Sequence, residues 1–458
     1  MAGTDAAASR RVLRKAIAAS AIGNATEWFD YGIYAFGVGY ISVALFPGSA
    51  GEASLFALGT FAISFLVRPL GGLVWGPLGD RFGRRWVLAL TIILISAATF
   101  CIGLIPSYDA IGMWAPAILI VLRMVQGFST GGEYGGAATF MAEYAPDEKR
   151  GFCGSFLEVG TLGGFSLGAL LMLGCSLALG EAAMHEWGWR LPFLLAAPLG
   201  LTGVYLRSQL AETPVFREVA AAGARPRGIG GELRLLLSRH RRPLFALGGL
   251  VVALNLVNYT LLSYMPTYLA RQIGLSPDTA LLVPIIGMLF MMALLPLAGS
   301  LSDRIGRKPV WRFSLIGLFL LAVPLFHLMA VSPLGAVAGF VLLGLLYVPQ
   351  LATISATFPA MFPTHVRFAG FAIAYNVSTS LFGGTAPVVN ALLIERTGDI
   401  LVPAYLMMAS CLVGMVALRF VDETAGASLR GTQVPGRAGP GRTEREAAAT
   451  ASGAPTGR

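Results

Sequence analysis

Long apolar runs alternate with short basic gaps along almost the whole chain. A helix that crosses a hydrocarbon core of ~30 Å needs about 20 mostly apolar residues. Twelve runs come near that length, at roughly 16–38, 55–78, 86–106, 114–143, 152–179, 190–207, 244–270, 280–301, 309–329, 334–358, 368–394 and 403–421. The pattern predicts an all-α membrane protein with twelve transmembrane helices.

The gaps set the orientation. One set holds Arg81, Arg84, Arg85, Lys149, Arg150, Arg304, Arg307, Lys308 and Arg367; the opposite set holds only Arg271 and Arg396 among Glu52, Asp109, Glu181 and Asp278. Basic loops stay on the cytoplasmic side, and an even number of crossings puts both termini there. The expected organisation is a cytoplasmic N-terminus (1–15), a six-helix half (16–207), a cytoplasmic linker (208–243), a second six-helix half (244–421) and a cytoplasmic tail (422–458). The linker is rich in arginine, from Arg217 to Arg242. The tail is rich in Gly, Ala, Pro and Arg, has no apolar periodicity, and is expected to be disordered.

The halves echo one another. Gly76-Pro77-Leu78-Gly79-Asp80-Arg81-Phe82-Gly83-Arg84-Arg85 returns as Gly299-Ser300-Leu301-Ser302-Asp303-Arg304-Ile305-Gly306-Arg307-Lys308. Pro146…Arg150 returns as Pro363…Arg367, and Glu212-Thr213 as Glu423-Thr424. Three echoes at matching places imply a parallel duplication, in which halves rock about a site near the bilayer midplane. Asp80, Arg81, Arg84, Asp303, Arg304 and Arg307 are the expected cytoplasmic gate.

Composition agrees with the pattern. The 458 residues are 55% hydrophobic and 12% charged, with a mean hydropathy of +0.71; soluble domains are about 25% charged. The net charge of +9 sits in the gaps, so it points to a lipid bilayer and not to nucleic acid. Cys101, Cys153, Cys175 and Cys411 lack metal-ligand or disulfide-framework spacing. No metal or catalytic site is expected.

Charges inside the runs carry the candidate chemistry, because each costs roughly 2.5–3.5 kcal/mol or more in lipid. Asn24, Glu27, Asp30, Tyr31 and Tyr34 share one helical face. Arg68 lies in the second run; Arg123, Gln126, Thr130 and Glu133 line the fourth; Glu158 is in the fifth. Glu27, Arg68 and Glu133 each stand 11 residues from the expected inner end of their run, about 16 Å at helical rise, so they share one depth and can pair. Burial in a low dielectric favours the protonated carboxyl, which makes Glu27, Asp30, Glu133 and Glu158 candidate proton carriers. Arg68 and Arg123 keep their charge and serve as counter-ions or carboxylate anchors. Glycines at Gly127, Gly131 and Gly135, and at Gly160, Gly164 and Gly168, form small-residue stripes, and the fourth and fifth runs are expected to touch through them.

The second half has almost no intramembrane charge. Its polar residues are neutral, among them Asn255, Asn258, Tyr259 and Tyr264 in the seventh run, Tyr347, Gln350 and Thr353 in the tenth, and Tyr375 and Asn376 in the eleventh. Faces of aromatic and amide groups suit a small polar solute, and aromatic faces suit a quaternary ammonium.

Taken together, these motifs resemble a known family. Gly76–Arg85 and its copy are similar to the loop signature of the major facilitator superfamily, and Arg123-Met124-Val125-Gln126-Gly127 to its fourth-helix motif. Gly23-Asn24-Ala25-Thr26-Glu27-Trp28-Phe29-Asp30-Tyr31, Arg68-Pro69-Leu70-Gly71-Gly72 and Gly131-Gly132-Glu133-Tyr134 resemble the metabolite:proton symporter branch. Thr99–Asp109 and Pro359–His365 look most like its members that carry proline and betaine. Those members often end in a coiled coil, whereas this tail has no heptads. The resemblance implies an inner-membrane secondary transporter that imports a small zwitterion with protons. Glu27, Asp30, Glu133, Arg123 and Glu158 would handle the proton, the coupling ion, with no cofactor. Arg68, Asn24, Trp28, Tyr31, Tyr34, Asn258, Tyr264 and Asn376 would line the solute site. The alternatives are a symporter for citrate, 2-oxoglutarate or shikimate, an export antiporter, and a non-transporting membrane sensor.

Overall fold

In hydrocarbon every backbone amide has to be satisfied within its own segment, which leaves the helix as the form for single long apolar runs. The described residues are helical with no strand. The computed structural model describes residues 2–82, 84–208, 229–363 and 366–429, with most side chains of 76–88 and those next to the other edges left outside.

Twelve spans result among the described residues. The first half comprises α1 (Ala2–Leu45), α2 (Ala50–Phe82), α3 (Arg84–Gly103), α4 (Trp114–Thr130 continued by Glu133–Tyr144), α5 (Arg150–Ala183) and α6 (Arg190–Leu194 continued by Ala196–Ser208). The second comprises α7 (Arg241–Tyr259 continued by Met265–Arg271), α8 (Pro277–Ile305), α9 (Arg307–Val331), α10 (Pro333–Ala352 continued by Ile354–Thr357), α11 (Arg367–Ser378 continued by Ala386–Thr397) and α12 (Val402–Leu418). A wide π-helical turn interrupts α7 at Thr260–Tyr264 and α11 at Thr379–Gly383. Such turns insert one residue and re-aim the side chains that follow.

The glycine stripes find different neighbours from those expected. A Cβ at Gly127 or Gly131 would strike the carbonyl of Ser64 or Arg68, and one at Gly160 or Gly164 that of Ala21 or Ala25. So α4 packs on α2 and α5 on α1, and the stripes of α4 and α5 do not face each other. The spacing marks a face where backbones meet, but it does not name the partner helix.

The halves meet along α5 and α8, with backbone nearly against backbone. A Cβ on Gly299 would lie 2.5 Å from the carbonyl oxygen of Gly151 at the inner end. At the outer end Ser176 Oγ donates to Asp278 Oδ1 at 3.0 Å.

Three expectations about the flanks change. Residues 2–15 are not a separate segment, because α1 starts at Ala2. The linker contains a helix, Ile229–Arg239, with Leu236 buried and Leu237 exposed; residues 209–228 lie outside the described chain. The start of the tail is ordered. Leu429 is buried in one cluster with Ala142 and Ala360, and Thr424 is buried as well. One apolar side chain and a few main-chain acceptors anchor this stretch, a signal that leaves no periodicity. Residues 430–458 lie outside the described chain.

Candidate functional site

Two buried ion pairs lie at the centre of the first half, and they differ in completeness. In the outer one Arg123 Nη1 donates to Asp30 Oδ2 at 3.1 Å and to Gln126 Oε1 at 2.8 Å. Gln126 Nε2 donates to Asp30 Oδ1 at 2.6 Å, and Thr99 Oγ1 to the same oxygen at 2.8 Å. The guanidinium also lies 3.7 Å from the Tyr34 ring centroid, while Tyr34 donates its hydroxyl to Ala57 O at 2.8 Å. The Arg123–Gln126 spacing of one helical turn puts both heads on one face toward α1.

The inner pair is loose. Arg68 Nη2 stands 3.9 Å from Glu27 Oε1, and Nε, Nη1 and Nη2 of Arg68 have no hydrogen-bond partner among the described residues. Both side chains are fully buried. Burying a guanidinium without hydrogen bonds is costly, and this fork is shaped to grip a planar carboxylate through two bonds. Aromatic rings surround it, with Phe65 at 5.2 Å and Tyr31 at 6.0 Å from its carbon. Tyr259 of the second half packs on Phe65 at 5.0 Å and on Trp28 at 6.2 Å.

Glu158 is held apart from both pairs. Its Oε1 accepts from the Tyr134 hydroxyl at 2.5 Å and its Oε2 from Thr161 Oγ1 at 2.9 Å. Thr161 accepts from Asn24 Nδ2 at 2.6 Å, and Asn24 Oδ1 accepts from Trp28 Nε1 at 3.2 Å. Tyr134 stacks on Tyr375 of the other half at 4.7 Å. Glu133 is buried and accepts from Thr91 Oγ1 at 3.4 Å.

Not every expected solute residue lies here. Asn376 does, and donates to Gly131 O across the halves at 2.8 Å. Asn258 is instead engaged within its own half, accepting from the Tyr347 hydroxyl at 3.0 Å. Tyr264 lies one turn too far out and meets Tyr268 at 6.2 Å. The π-helical turn at Thr260–Tyr264 leaves Tyr259 as the ring that reaches the centre.

Two of the residues expected at the cytoplasmic gate sit among helix ends. Asp303 accepts from the amides of Gly151 and Phe152, both at 2.8 Å, at the start of α5 in the other half. A helix N-terminus favours such an anion. Arg307 Nη2 holds Asp303 from its own side at 2.6 Å, after a turn at Gly306 whose φ of +103° suits glycine. Glu423 accepts from the amides of Arg307 and Lys308 at 2.8 and 3.0 Å. Burial pushes its carboxyl up, but donors from Arg307, Lys308, Ala425 and Thr424 outweigh burial and hold it below the usual range. Arg304 is exposed and outside this network. The side chains of Asp80, Arg81 and Arg84 lie outside the described residues.

Sequence reasoning missed a second set of contacts near these helix ends. Arg367 Nη1 pairs with Glu143 Oε1 at 3.4 Å across the halves, and its Nη2 donates to Leu429 O at 2.7 Å. Arg150 pairs with Asp147 and donates to Ala427 O at 3.0 Å. The Pro146…Arg150 and Pro363…Arg367 echo marked both arginines but read only as a trace of duplication.

Known proteins bear out this architecture. The chain is 45% identical to a glycine betaine/proline/ectoine/pipecolic acid transporter of Dickeya dadantii (strain 3937), and 43% identical to a proline/betaine transporter of Escherichia coli (strain K12). Each match covers 92% of this chain and 85% of the relative. Among solved structures, a proton:xylose symporter bound to 6-bromo-6-deoxy-D-glucose superposes with a TM-score of 0.73 over 92% of this chain and 98% of its own, at 18% identity. That likeness speaks for the fold alone. The family model of the Major Facilitator Superfamily matches residues 21–387, and the chain, with its twelve spans, belongs to the major facilitator superfamily.

Proposed function

We propose that this protein imports a small zwitterion of the proline and glycine betaine class together with protons. The halves rock about the midplane site in a bacterial inner membrane, with both termini in the cytoplasm. The observation that carries the reading is Arg68, a buried guanidinium whose donors find no acceptor among the described residues, beside aromatic rings from both halves. A solute carboxylate takes those donors, and ring faces take the quaternary or secondary ammonium. The relatives named above, over 92% of the chain, support the solute class.

The proton is the coupling ion, and no cofactor, metal or nucleic acid takes part. Asp30 carries the proton, and Glu27 and Glu133 lie beside its path. A proton on Asp30 removes one charge of the Arg123 pair, and the four-member knot of α1, α3 and α4 loosens. The halves are then free to rearrange. Opening inward also requires Asp303 to leave the α5 amides. Alternating access follows when the solute neutralises Arg68 and the proton neutralises Asp30 in the same cycle.

The test is uptake of labelled proline, betaine, citrate and 2-oxoglutarate into vesicles holding the purified protein, with and without an inward proton gradient. Accumulation of proline or betaine that collapses with an uncoupler is the expected result. Citrate accumulation without betaine accumulation, or betaine accumulation that ignores the uncoupler, would overturn the reading.

A further inference from the structure

Glu158 is fully buried about two turns into α5, and among the described residues no cation pairs with it. Isolated buried carboxylates are costly, so this position needs a reason. Two hydroxyl donors orient the carboxylate, from Tyr134 at 2.5 Å and Thr161 at 2.9 Å. A carboxylate offers about four lone-pair sites, so acceptor capacity remains beyond these two bonds.

The surroundings are aromatic and drawn from both halves. Tyr134 of α4 stacks on Tyr375 of α11 at 4.7 Å, and Tyr347 of α10 also lies within electrostatic reach of Glu158. Tyr375 lies within electrostatic reach of both Glu158 and Arg68. Arg68 and Glu158 therefore both act on the ring of one tyrosine, Tyr375 of the second half.

We infer that Glu158, framed by Tyr134, Tyr347 and Tyr375, is the receptor for the cationic end of the solute, opposite Arg68, and so selects zwitterions over plain carboxylates. This rests on the zwitterion reading above and deepens it. The contact is non-covalent, so the carboxylate supplies the counter-charge and the ring faces supply cation–π attraction. Because Tyr375 and Tyr347 belong to the second half and Glu158 to the first, a bound ammonium draws the halves together. A solute lacking that charge has only Arg68.

The experiment measures equilibrium binding to the purified full-length chain in lipid nanodiscs without a proton gradient. The probes are glycine betaine and tert-butylacetate, its isostere with carbon in place of the quaternary nitrogen. Wild type should prefer betaine. Glu158→Gln should raise the betaine Kd about 30-fold or more while the Kd for tert-butylacetate moves less than about threefold. Tyr375→Leu, which leaves the carboxylate in place, should weaken betaine alone by about tenfold. A betaine preference that survives in both variants overturns the inference. Equal weakening of both probes also overturns it, since that marks a structural or purely proton-carrying role. A wild type that does not prefer betaine instead sinks the zwitterion function itself, which separates the two failures.

Discussion

Two arginines lie in the same half, each buried and each facing an acid on α1, yet they are treated in opposite ways. Arg123 is locked by Asp30, Gln126 and the Tyr34 ring. Arg68 stands 3.9 Å from Glu27 without a hydrogen bond of its own. A satisfied network fixes geometry and changes when a proton arrives. An unsatisfied donor fork holds free energy in reserve for a ligand. Charge alone does not tell these roles apart; the count of satisfied donors does.

The contrast breaks first at Arg68. Arg68→Gln should cut solute affinity about 100-fold, the loss expected on removing a buried charged partner. It should leave the Asp30 network intact, as an unchanged thermal midpoint would report. If Arg123→Gln produced the same affinity loss, the two arginines would not have separate roles. Asp30→Asn should come next. Accumulation under a proton gradient should fall at least about tenfold, while exchange of internal for external solute continues. Loss of exchange as well would make Asp30 a binding residue.

Gly131→Ala sharpens the comparison through backbone alone. Its Cβ runs into the Arg68 carbonyl, so it displaces Arg68 and spares Asp30. The solute Kd should rise roughly tenfold, on the scale of overpacking costs, with the proton-to-solute ratio unchanged. The smallest effect belongs to Glu423→Gln, far from both pairs. A native carboxyl held below its unfolded value stabilises at neutral pH, and that contribution is lost as pH falls through the native value. The variant should therefore lower the thermal midpoint slightly at neutral pH, by no more than about 1 kcal/mol given solvent screening at this exposed residue. The difference from wild type should vanish in acid below the ordinary glutamate range, about pH 4. A difference that grows in acid would show that the carboxyl is not held low.

The twelve spans were legible because lipid imposes length and apolarity on each one. Asp30 and Arg123 were legible as buried charges because a charge in a membrane run stands out, and Glu27 with Arg68 because shared depth follows from helical rise. Tyr259 was visible as one polar residue of the seventh run, but its preference over Tyr264 was not, since the π-helical turn at Thr260–Tyr264 shifts the register that sequence periodicity assumes. The partners of the glycine stripes were not either, because spacing describes one surface and packing takes two. Glu423 was visible as an echo, but its role as an acceptor for the α9 amides depends on where the chain turns back after α12.

The ordered stretch after α12 has a practical corollary. Ala427 and Leu429 hold Arg150 and Arg367 by main-chain carbonyls, which no side-chain replacement removes. A residue-by-residue scan of 424–428 would thus look permissive and suggest a dispensable end. Excision of 424–429 strips acceptors from two buried guanidiniums at once, one on each side of the seam. Affinity tags and fluorescent reporters joined directly behind Leu429 would tug on that seam, so a spacer belongs between them and the transporter.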